Sequence, residues 1–560
     1  MTFNKVVFDI ETTMTADKIW CIVCKHGDTY YQFKEDRLHR FAELIKQTEE
    51  VIGHNIIGFD IPVVNTIFGY DVFANCKVTD TLVLSRLLNP MIEGGHSLKN
   101  WGTKLGQNKI NFEQFDFFSE DMLTYCRNDV ELTERLYKFL INKTKDFGMS
   151  IELEHKVAQI IQKQHERGFK INVVEAYELQ SKFQEDMNNL TSKVRETFPP
   201  LKIEEEFIPK SNNKARGYVK GVPFTKVKYK EFNLGSRQQI AERLVMLGWK
   251  PKKKTDKGHI IVDEKVLSEI HNIPEAKLIN RYLMLQKRIA QVNSWIEAIK
   301  EDGRVHGKVI TNGTITGRMS HQSPNMAQIP AVYSPYGKEC RALWTVNKGY
   351  KLVGVDASGL ELRMLAHYMN DKDYIYEVVN GDIHTANQNA AGLESRDKAK
   401  TFIYAFIYGA GSKKIGSIIG GSERDGERTK EKFLRATPSL RSLREKVERV
   451  AQRRWVRGLD QRKIIIRHPH AALNTLLQGA GAIVMKYALT ILEQYVINKQ
   501  IKAFPVVNVH DEFQYEVEES RAEEFGRLAV QSIIDAGKQL NVRCPLNGEY
   551  KIGNNWSETH

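Results

Sequence analysis

A multidomain α/β protein is what this sequence predicts, on three observations. The chain has 560 residues, which at roughly 150 per domain gives about four domains and exceeds what one hydrophobic core supports. Strand-like and helical stretches alternate up to about residue 145 and again from Gly303 onward, with a mainly helical stretch between them. Hydrophobic residues make up 41% and charged residues 27%, a globular balance that excludes wholesale disorder.

The elements follow in order. Val6-Val7-Phe8-Asp9-Ile10 reads as an apolar strand, and a helix around Asp121 to Asn142 closes a first α/β unit. From about 150 the pattern is helical, Gly168 breaks it, and Asn172 restarts it as a cap, with Glu175 completing a capping box. Ala176, Leu179, Phe183, Met187 and Leu190 then share one helical face until Pro199-Pro200 ends the helix. Between Lys210 and Lys230 there are seven Lys or Arg and no acid, interleaved with Tyr218, Phe224 and Tyr229, and a second basic cluster runs from Lys250 to Lys257. In a chain of net charge +13, clusters this one-sided suit a phosphate backbone better than a merely solvated loop. Strands and helices mix again toward the C-terminus, with no internal repeat.

Six scattered cysteines suit a reducing cytoplasm. Cys21-x-x-Cys24 lies in a strand-like setting without a second ligand pair, so buried strand residues are the reading and no metal is assigned there. The N-terminus lacks a secretory pattern, and no apolar run approaches the roughly 18 residues of a membrane span. The expectation is a cytoplasmic protein, neither secreted nor membrane-embedded.

Two acidic constellations carry chemistry. Asp9 and Glu11 end the first strand on one face. Gly53-His54-Asn55, Phe59-Asp60 and Tyr125-Cys126-Arg127-Asn128-Asp129 follow, with Tyr125 and Asp129 four apart on a helix. Converging carboxylates suit hard Mg²⁺ or Mn²⁺ and the cleavage of a phosphodiester. The ordered set D-x-E, H-N-x-x-x-F-D, Y-x-x-x-D resembles the tyrosine branch of the DEDD 3′-to-5′ exonucleases. That resemblance implies an RNase H-like domain with Asp9, Glu11, Asp60 and Asp129 as metal ligands and Tyr125 orienting the nucleophilic water. Asp80 reads as a helix N-terminal acid instead of a fifth ligand.

The second constellation pairs Asp356, at the end of the strand Leu352-Val353-Gly354-Val355, with Asp511 in the His510-Asp511 junction of two strands. A hairpin there brings two carboxylates around a pair of Mg²⁺ ions. HD phosphohydrolases also use His-Asp, but on helices, and the strand context argues against them. Between these strands Arg396, Lys400, Tyr404 and Tyr408 drift only about 40° per step and form one helical stripe. Its cations can clamp a triphosphate and its aromatics can pack on a sugar or base. No G-x-x-x-x-G-K-[ST] loop offers another device.

Asp356-Ala357-Ser358-Gly359-Leu360-Glu361-Leu362-Arg363, the stripe helix, and Val509-His510-Asp511-Glu512 resemble motifs A, B and C of family A DNA polymerases, most closely the replicative polymerases of tailed phages. Thr316-Gly317-Arg318, Gly381-Asp382-Ile383-His384-Thr385 and His470 to Gln478 support it. The resemblance implies a right-hand polymerase: exonuclease 1–147, thumb 148–300 with a short basic insertion near 200–232, palm 301–368, fingers 369–472 and palm 473–560. It implies two Mg²⁺ ions per active site, with Mn²⁺ able to substitute, held by Asp356, the Ala357 carbonyl and Asp511. His384, Arg396 and Lys400 would bind phosphates, Lys400 also serving as general acid. Tyr404 would lie by the sugar and base, and Tyr408 would mark the template base.

Glu361, one helical turn after Asp356, would exclude a ribose 2′-hydroxyl. Arg318, Gln328, Asn474, Gln478 and His510 would touch the primer-template minor groove or the primer end. Primer-template DNA and dNTPs are the implied partners. Close phage relatives carry a longer thumb insertion that recruits a processivity factor, thioredoxin in the best-known case. Here a smaller partner, direct DNA clamping and distributive synthesis all stay open, as does a helicase-primase on the tail Trp556 to His560. The absence of a 5′-nuclease segment before residue 1 fits a replicative role. The alternatives are a single-subunit RNA polymerase, opposed by Glu361 and the exonuclease motifs, and a binding factor with degenerate sites, opposed by the intact carboxylates.

Overall fold

The computed structural model describes residues 3–251, 253–255 and 257–560. Lys252 and Asp256, within the second basic cluster, lie outside the described residues. The first domain is built on a five-stranded sheet in the order Thr29–Lys34, Ile19–His26, Phe3–Thr12, Thr48–Gly53, Lys77–Asp80. The first three pair antiparallel, and Phe3–Thr12, Thr48–Gly53 and Lys77–Asp80 run parallel. Alternation sends Val6, Phe8 and Ile10 into a core with Phe41 and Phe73, while Val7 packs on the other face with Cys21, Val23 and Cys126 of helix Glu120–Thr144. Cys21 and Cys24 belong to opposite faces of the sheet, so they cannot chelate one ion.

The second sheet is antiparallel, in the order Ala503–Val509, Glu512–Glu518, Tyr350–Ala357, Gly548–Gly553. The strand-end acid faces the hairpin junction, because Asp356 pairs with Glu512 and the Ala357 N–H donates to the Asp511 carbonyl at 3.1 Å. Helices Ala472–Lys499 and Ala522–Gln539 pack together, and with this sheet they share the largest core. The segment Pro469–Lys499 is long and apolar enough to cross a membrane, which corrects the sequence expectation of no such run. Its most apolar window is 83% buried inside the fold, the property of a core helix surrounded on all sides.

The chain divides into two compact units, Ile171–Val305 with Ile329–Leu343, and the remainder. These bounds differ from the expected 148 and 300. Helix Ser150–Arg167 buries Leu153, Val157, Ile160 and Ile161 in the core of the second sheet and so belongs with it. In the unit beginning at Ile171, helix Val173–Thr197 starts at an Asn172 cap, whose Oδ1 accepts from the Glu175 N–H at 3.3 Å. The helix packs along Glu275–Glu297.

The basic stretch near 200–232 forms a hairpin, Leu201–Phe207 with Phe224–Lys230. Its partner strand carries Glu204, Glu205 and Glu206, and Lys228 pairs with Glu205 at 2.6 Å. The positive charge left uncompensated by that strand is therefore at the tip, on Lys210, Lys214, Arg216 and Lys220, and not along the whole segment. A Phe207, Tyr218 and Phe224 cluster with edge-on rings 4.8 to 6.0 Å apart holds the base of the tip.

Candidate active sites

The first-domain acids converge. Asp9 and Glu11, two apart on their strand, lie with Cys126 Sγ in one cluster whose ligand atoms are within 4.8 Å. Asp60 opens helix Asp60–Phe68 and accepts from the Ile10 N–H at 3.3 Å, which places it behind the same strand end. Asp129 comes from helix Glu120–Thr144, four residues after Tyr125. Burial, and after it the charges of Asp60, Glu11 and Asp129, pushes the Asp9 carboxyl well up. Burial and Asp129 raise Glu11 to about 9, and burial raises Asp60 to about 7. Burial raises all four acids, and Asp9 and Glu11 are raised further by their acidic neighbours, a combination that a bound cation would relieve. Asp129 Oδ1 is buried without a hydrogen-bond partner, and carboxylate oxygens are the ligand type that suits Mg²⁺ or Mn²⁺.

Asp80 plays the structural part expected of it: its carboxylate accepts from the N–H groups of Asn55, Ile57 and Leu82. Lys109 was not legible in the sequence. Its Nζ sits 2.5 Å from Asp129 Oδ2 and 4.7 Å from the Tyr125 ring centre, and Phe112 stacks on the far side of that neighbourhood at 5.3 Å from Tyr125. The residue occupies an irregular segment between helices, and a basic residue in a loop between two acidic motifs is the one signal that could have pointed to it.

The second site gathers Asp356, exposed at its strand end, and half-buried Asp511. Partial desolvation of the Asp356 carboxyl, whose residue still reaches solvent, and after it Asp511 and Glu512, raise it to about 7, and burial, then Glu361, raises Asp511. Two adjacent carboxylates held above their ordinary range suit divalent cations with oxygen ligands. His510 takes a φ of 56°, which turns the chain between the two strands.

Glu361 lies in the first turn of helix Leu360–Met369, while Asp356 belongs to the preceding strand, so the two are not one helical turn apart as the spacing suggested. Ser358 and Gly359 intervene, and Gly359 has a φ of 58°. Glu361 Oε1 accepts from Tyr408 Oη at 2.6 Å and Arg318 Nη2 at 3.1 Å.

The stripe helix spans Arg396–Ile407, with Ala399, Phe402, Ile403, Phe406 and Ile407 buried. Tyr408 caps the helix at its end, the position the sequence assigns it, and Gly409 at φ 76° then turns the chain away. Arg396 and Lys400 are exposed and Tyr404 is half-buried. Arg396 Nε donates to Asp382 Oδ2 at 2.7 Å, and Asp382 caps the helix that carries His384. Burial, then Arg396 and Lys400, holds the His384 imidazole below its ordinary value. The three phosphate-binding candidates thus share one electrostatic neighbourhood, and the His384 ring lies 6.3 Å from Tyr404.

Asn474 and Gln478 share a face of helix Ala472–Lys499, and Asn474 Oδ1 is buried without a partner. Gln328 ends the short turn Met326–Gln328 and is exposed. The tail Trp556 to His560 packs on the chain itself. Trp556 is fully buried and donates to Glu512 Oε1 at 2.6 Å, and His560 Nδ1 meets Glu512 Oε2 at 2.9 Å.

Comparison with known proteins decides the family. The model for DNA polymerase family A matches residues 217–558. A DNA-directed DNA polymerase of Enterobacteria phage T3 is 33% identical, over 99% of this chain and 100% of the relative. This chain belongs to DNA polymerase family A. A DNA-directed DNA polymerase of Escherichia phage T7 is 35% identical over 87% of the chain and 88% of the relative. DNA polymerase I of Helicobacter pylori is 26% identical, over 86% of the chain and 53% of the relative. The T3 alignment runs over 714 positions, more than this chain has residues, so that relative carries insertions where the family A chain here is shorter. In fold, it superposes on the POL domain of Pol1 from M. smegmatis with a TM-score of 0.82 and 18% identity, covering 99% of this chain and 95% of that one. That structure holds DNA primer-template and dNTP. Family A enzymes are metal-dependent DNA-directed DNA polymerases.

Proposed function

We propose that this polymerase extends a primer along a DNA template at the Asp356–Asp511 site and removes nucleotides from the primer 3′ end at the Asp9 site, as a phage replicative enzyme. The observation that carries the reading is the presence of two separate carboxylate clusters in one family A chain, each with its acids raised above their ordinary range. In this reading the first 147 residues are an RNase H-like exonuclease domain. The thumb is the unit Ile171–Val305 with Ile329–Leu343, the palm is 306–328, 344–368 and 473–560, and the fingers are 369–472.

At the synthetic site Asp356, the Ala357 carbonyl and Asp511 would hold two divalent ions, Mg²⁺ or Mn²⁺. Bound there, such ions would supply charge that favours ionisation of the primer 3′-hydroxyl and departure of pyrophosphate. Arg396, Lys400 and His384 bind the phosphates, Arg396 leaving Asp382 to do so, and Lys400 gives a proton to the departing pyrophosphate. Tyr404 packs beside sugar and base. Arg318, Gln328, Asn474, Gln478 and His510 line the primer-template minor groove and check pair geometry through acceptors common to all correct pairs. At the exonuclease site Asp9, Glu11, Asp60 and Asp129 hold the ions and Tyr125 orients the attacking water. The test of substrate class is a comparison of dNTP and NTP incorporation on one DNA primer-template. Preference for NTPs would instead favour the single-subunit RNA polymerase reading.

Three outcomes follow from side chains already placed. Glu361 fills the space beside the incoming sugar and is held there by Arg318 and Tyr408. Glu361→Ala is expected to raise ribonucleotide incorporation about tenfold or more, since a lost clash and a lost polar partner are each worth a kcal/mol or more. Alkali-sensitive sites in the product measure it, and an unchanged count would remove Glu361 from this role. By resemblance, Tyr at position 404 goes with ready use of dideoxynucleotides. Tyr404→Phe is expected to lower chain termination in a sequencing ladder.

The third concerns pH. The metal-free fold keeps protons on Asp9, Glu11 and Asp60 that the unfolded chain releases near its ordinary carboxylate values. Folding stability from these groups is full below that range and is lost as pH rises toward about 9. Divalent ions bind the ionised set, so they recover that loss. Mn²⁺ should therefore raise Tm more at about pH 8.5 than at about pH 6, and Asp9→Ala with Glu11→Ala should remove most of the difference.

A further inference from the structure

Arg318 sits on the connection 311–319 between strands Lys308–Ile310 and Ser320–Gln322. We infer that Asn312 and Lys486 are positioning residues for primer-terminus recognition: a buried ion network, reaching the connection through Asn312, fixes the turn that presents Arg318. The inference rests on the reading of Arg318 as a primer-end contact.

The network is almost wholly buried. Lys486 Nζ donates to Glu154 Oε1 at 2.8 Å, Glu154 Oε2 at 2.9 Å and Asn312 Oδ1 at 2.7 Å, which uses all three of its protons. Arg462 Nη1 reaches Glu154 Oε1 at 2.5 Å, and its Nε and Nη2 grip Asp460. Exposure is 0% for Glu154, 2% for Lys486, 3% for Asn312, 4% for Arg462 and 5% for Asp460. Burial alone would push the Glu154 carboxyl up, and Lys486 and Arg462 more than reverse it. Two cations and two anions taken wholly out of water recover little net stability, and an apolar set of equal volume would serve the core as well. Asn312, from the turn, is the uncharged side chain bonded to this network.

The turn needs that restraint. It is closed locally by Gly317 N–H to the Thr314 carbonyl at 3.0 Å and Gly313 N–H to the Arg318 carbonyl at 3.2 Å, and the Arg318 N–H donates to Thr314 Oγ1 at 3.1 Å. These bonds set its shape but not its place. Gly317, at φ 74°, lies over the network: a methyl there would be 3.5 Å from both Arg462 Nη1 and Asn312 Oδ1. On one side, a cavity of about 30 Å³ is lined by Gly317, Arg318, Lys486, Asn508 and His510. Thr316 and Gly317 are buried against the fold, so packing and the Asn312 bond together fix the turn that presents Arg318 to Glu361.

Asn312→Ala cuts the turn from the network while leaving Lys486 on both Glu154 oxygens, so it is the gentler variant beside Lys486→Met. Single-nucleotide extension from matched and mismatched primer ends is measured for the full chain, its Asn312→Ala, Asn312→Asp, Arg318→Ala and Asn312→Ala/Arg318→Ala variants, with thermal unfolding as the check on folding. Asn312→Ala is expected to lower kcat on matched ends about tenfold, the factor a charge-assisted hydrogen bond carries, with little change in dNTP KM and a narrowed preference for matched ends. Asn312→Asp, which keeps the acceptor, should restore the preference. Added to Arg318→Ala, Asn312→Ala should cost nothing further. Effects that multiply in the double variant, or an unchanged matched-end preference in Asn312→Ala, would overturn the inference. An Arg318→Ala variant without effect would remove the primer-end reading itself, and the inference with it.

Discussion

Replacing Asp511 by alanine will reduce nucleotide addition by about a thousand-fold or more while leaving shortening of the primer 3′ end intact. The expectation follows from the position of Asp511 at the junction of two strands, with its carbonyl bonded to the Ala357 N–H and its carboxylate beside Asp356. Divalent ions held there supply several kcal/mol of transition-state charge stabilisation, and each 1.36 kcal/mol is a decade in rate. The variant should fold, since removing Asp511 also removes a carboxyl whose ionised form burial and Glu361 disfavour. Gel-resolved extension of a labelled primer measures the loss. Retained extension would show that Asp511 does not hold the ions.

Asp9→Ala should give the reverse result, a loss of 3′ shortening of similar size with synthesis preserved. Asp9 is the carboxylate most crowded by the other acids, with Asp60, Glu11 and Asp129 all acting on it after burial. Its removal leaves three acids at the site, one fewer to hold a cation. Phosphodiester hydrolysis without metal-assisted activation of water forfeits the largest part of the rate. In the presence of dNTPs the variant should accumulate mismatched ends that the wild type removes, read by sequencing the products. Undiminished shortening by Asp9→Ala would place the nuclease elsewhere or outside this chain.

The grouping of the candidate residues was legible because it restricts residue types at set spacings. Asp9 and Glu11 share a strand face by the period of two, Tyr125 and Asp129 share a helix face by the period of 3.6, and the Arg396 stripe survives as an exposed helical edge above a buried apolar face. Non-local features were not legible. Glu204 to Glu206 cross the hairpin from the basic strand, a pairing that depends on register and not on nearby sequence. Glu154 reads as one more surface charge between Glu152 and Lys156, and only the meeting of four chain-distant segments makes it a buried ligand of Lys486 and Arg462. Lys109 sits in a segment without periodicity. The apolar helix Ala472–Lys499 shows the same limit, since length and composition are the same for a core helix and a membrane span until its neighbours are known.

The fold and the family establish the polymerase class, and the two-site reading rests on the acids. The measurement that tests it most directly is incubation of the purified chain with Mg²⁺ and a 3′-recessed, 5′-labelled primer on a longer DNA template, with and without the four dNTPs. The account predicts extension to the template end when dNTPs are present and stepwise shortening from the 3′ end when they are withheld, both abolished by chelation of the metal. A chain that extends the primer but never shortens it, or that does neither with Mg²⁺ supplied, would contradict it.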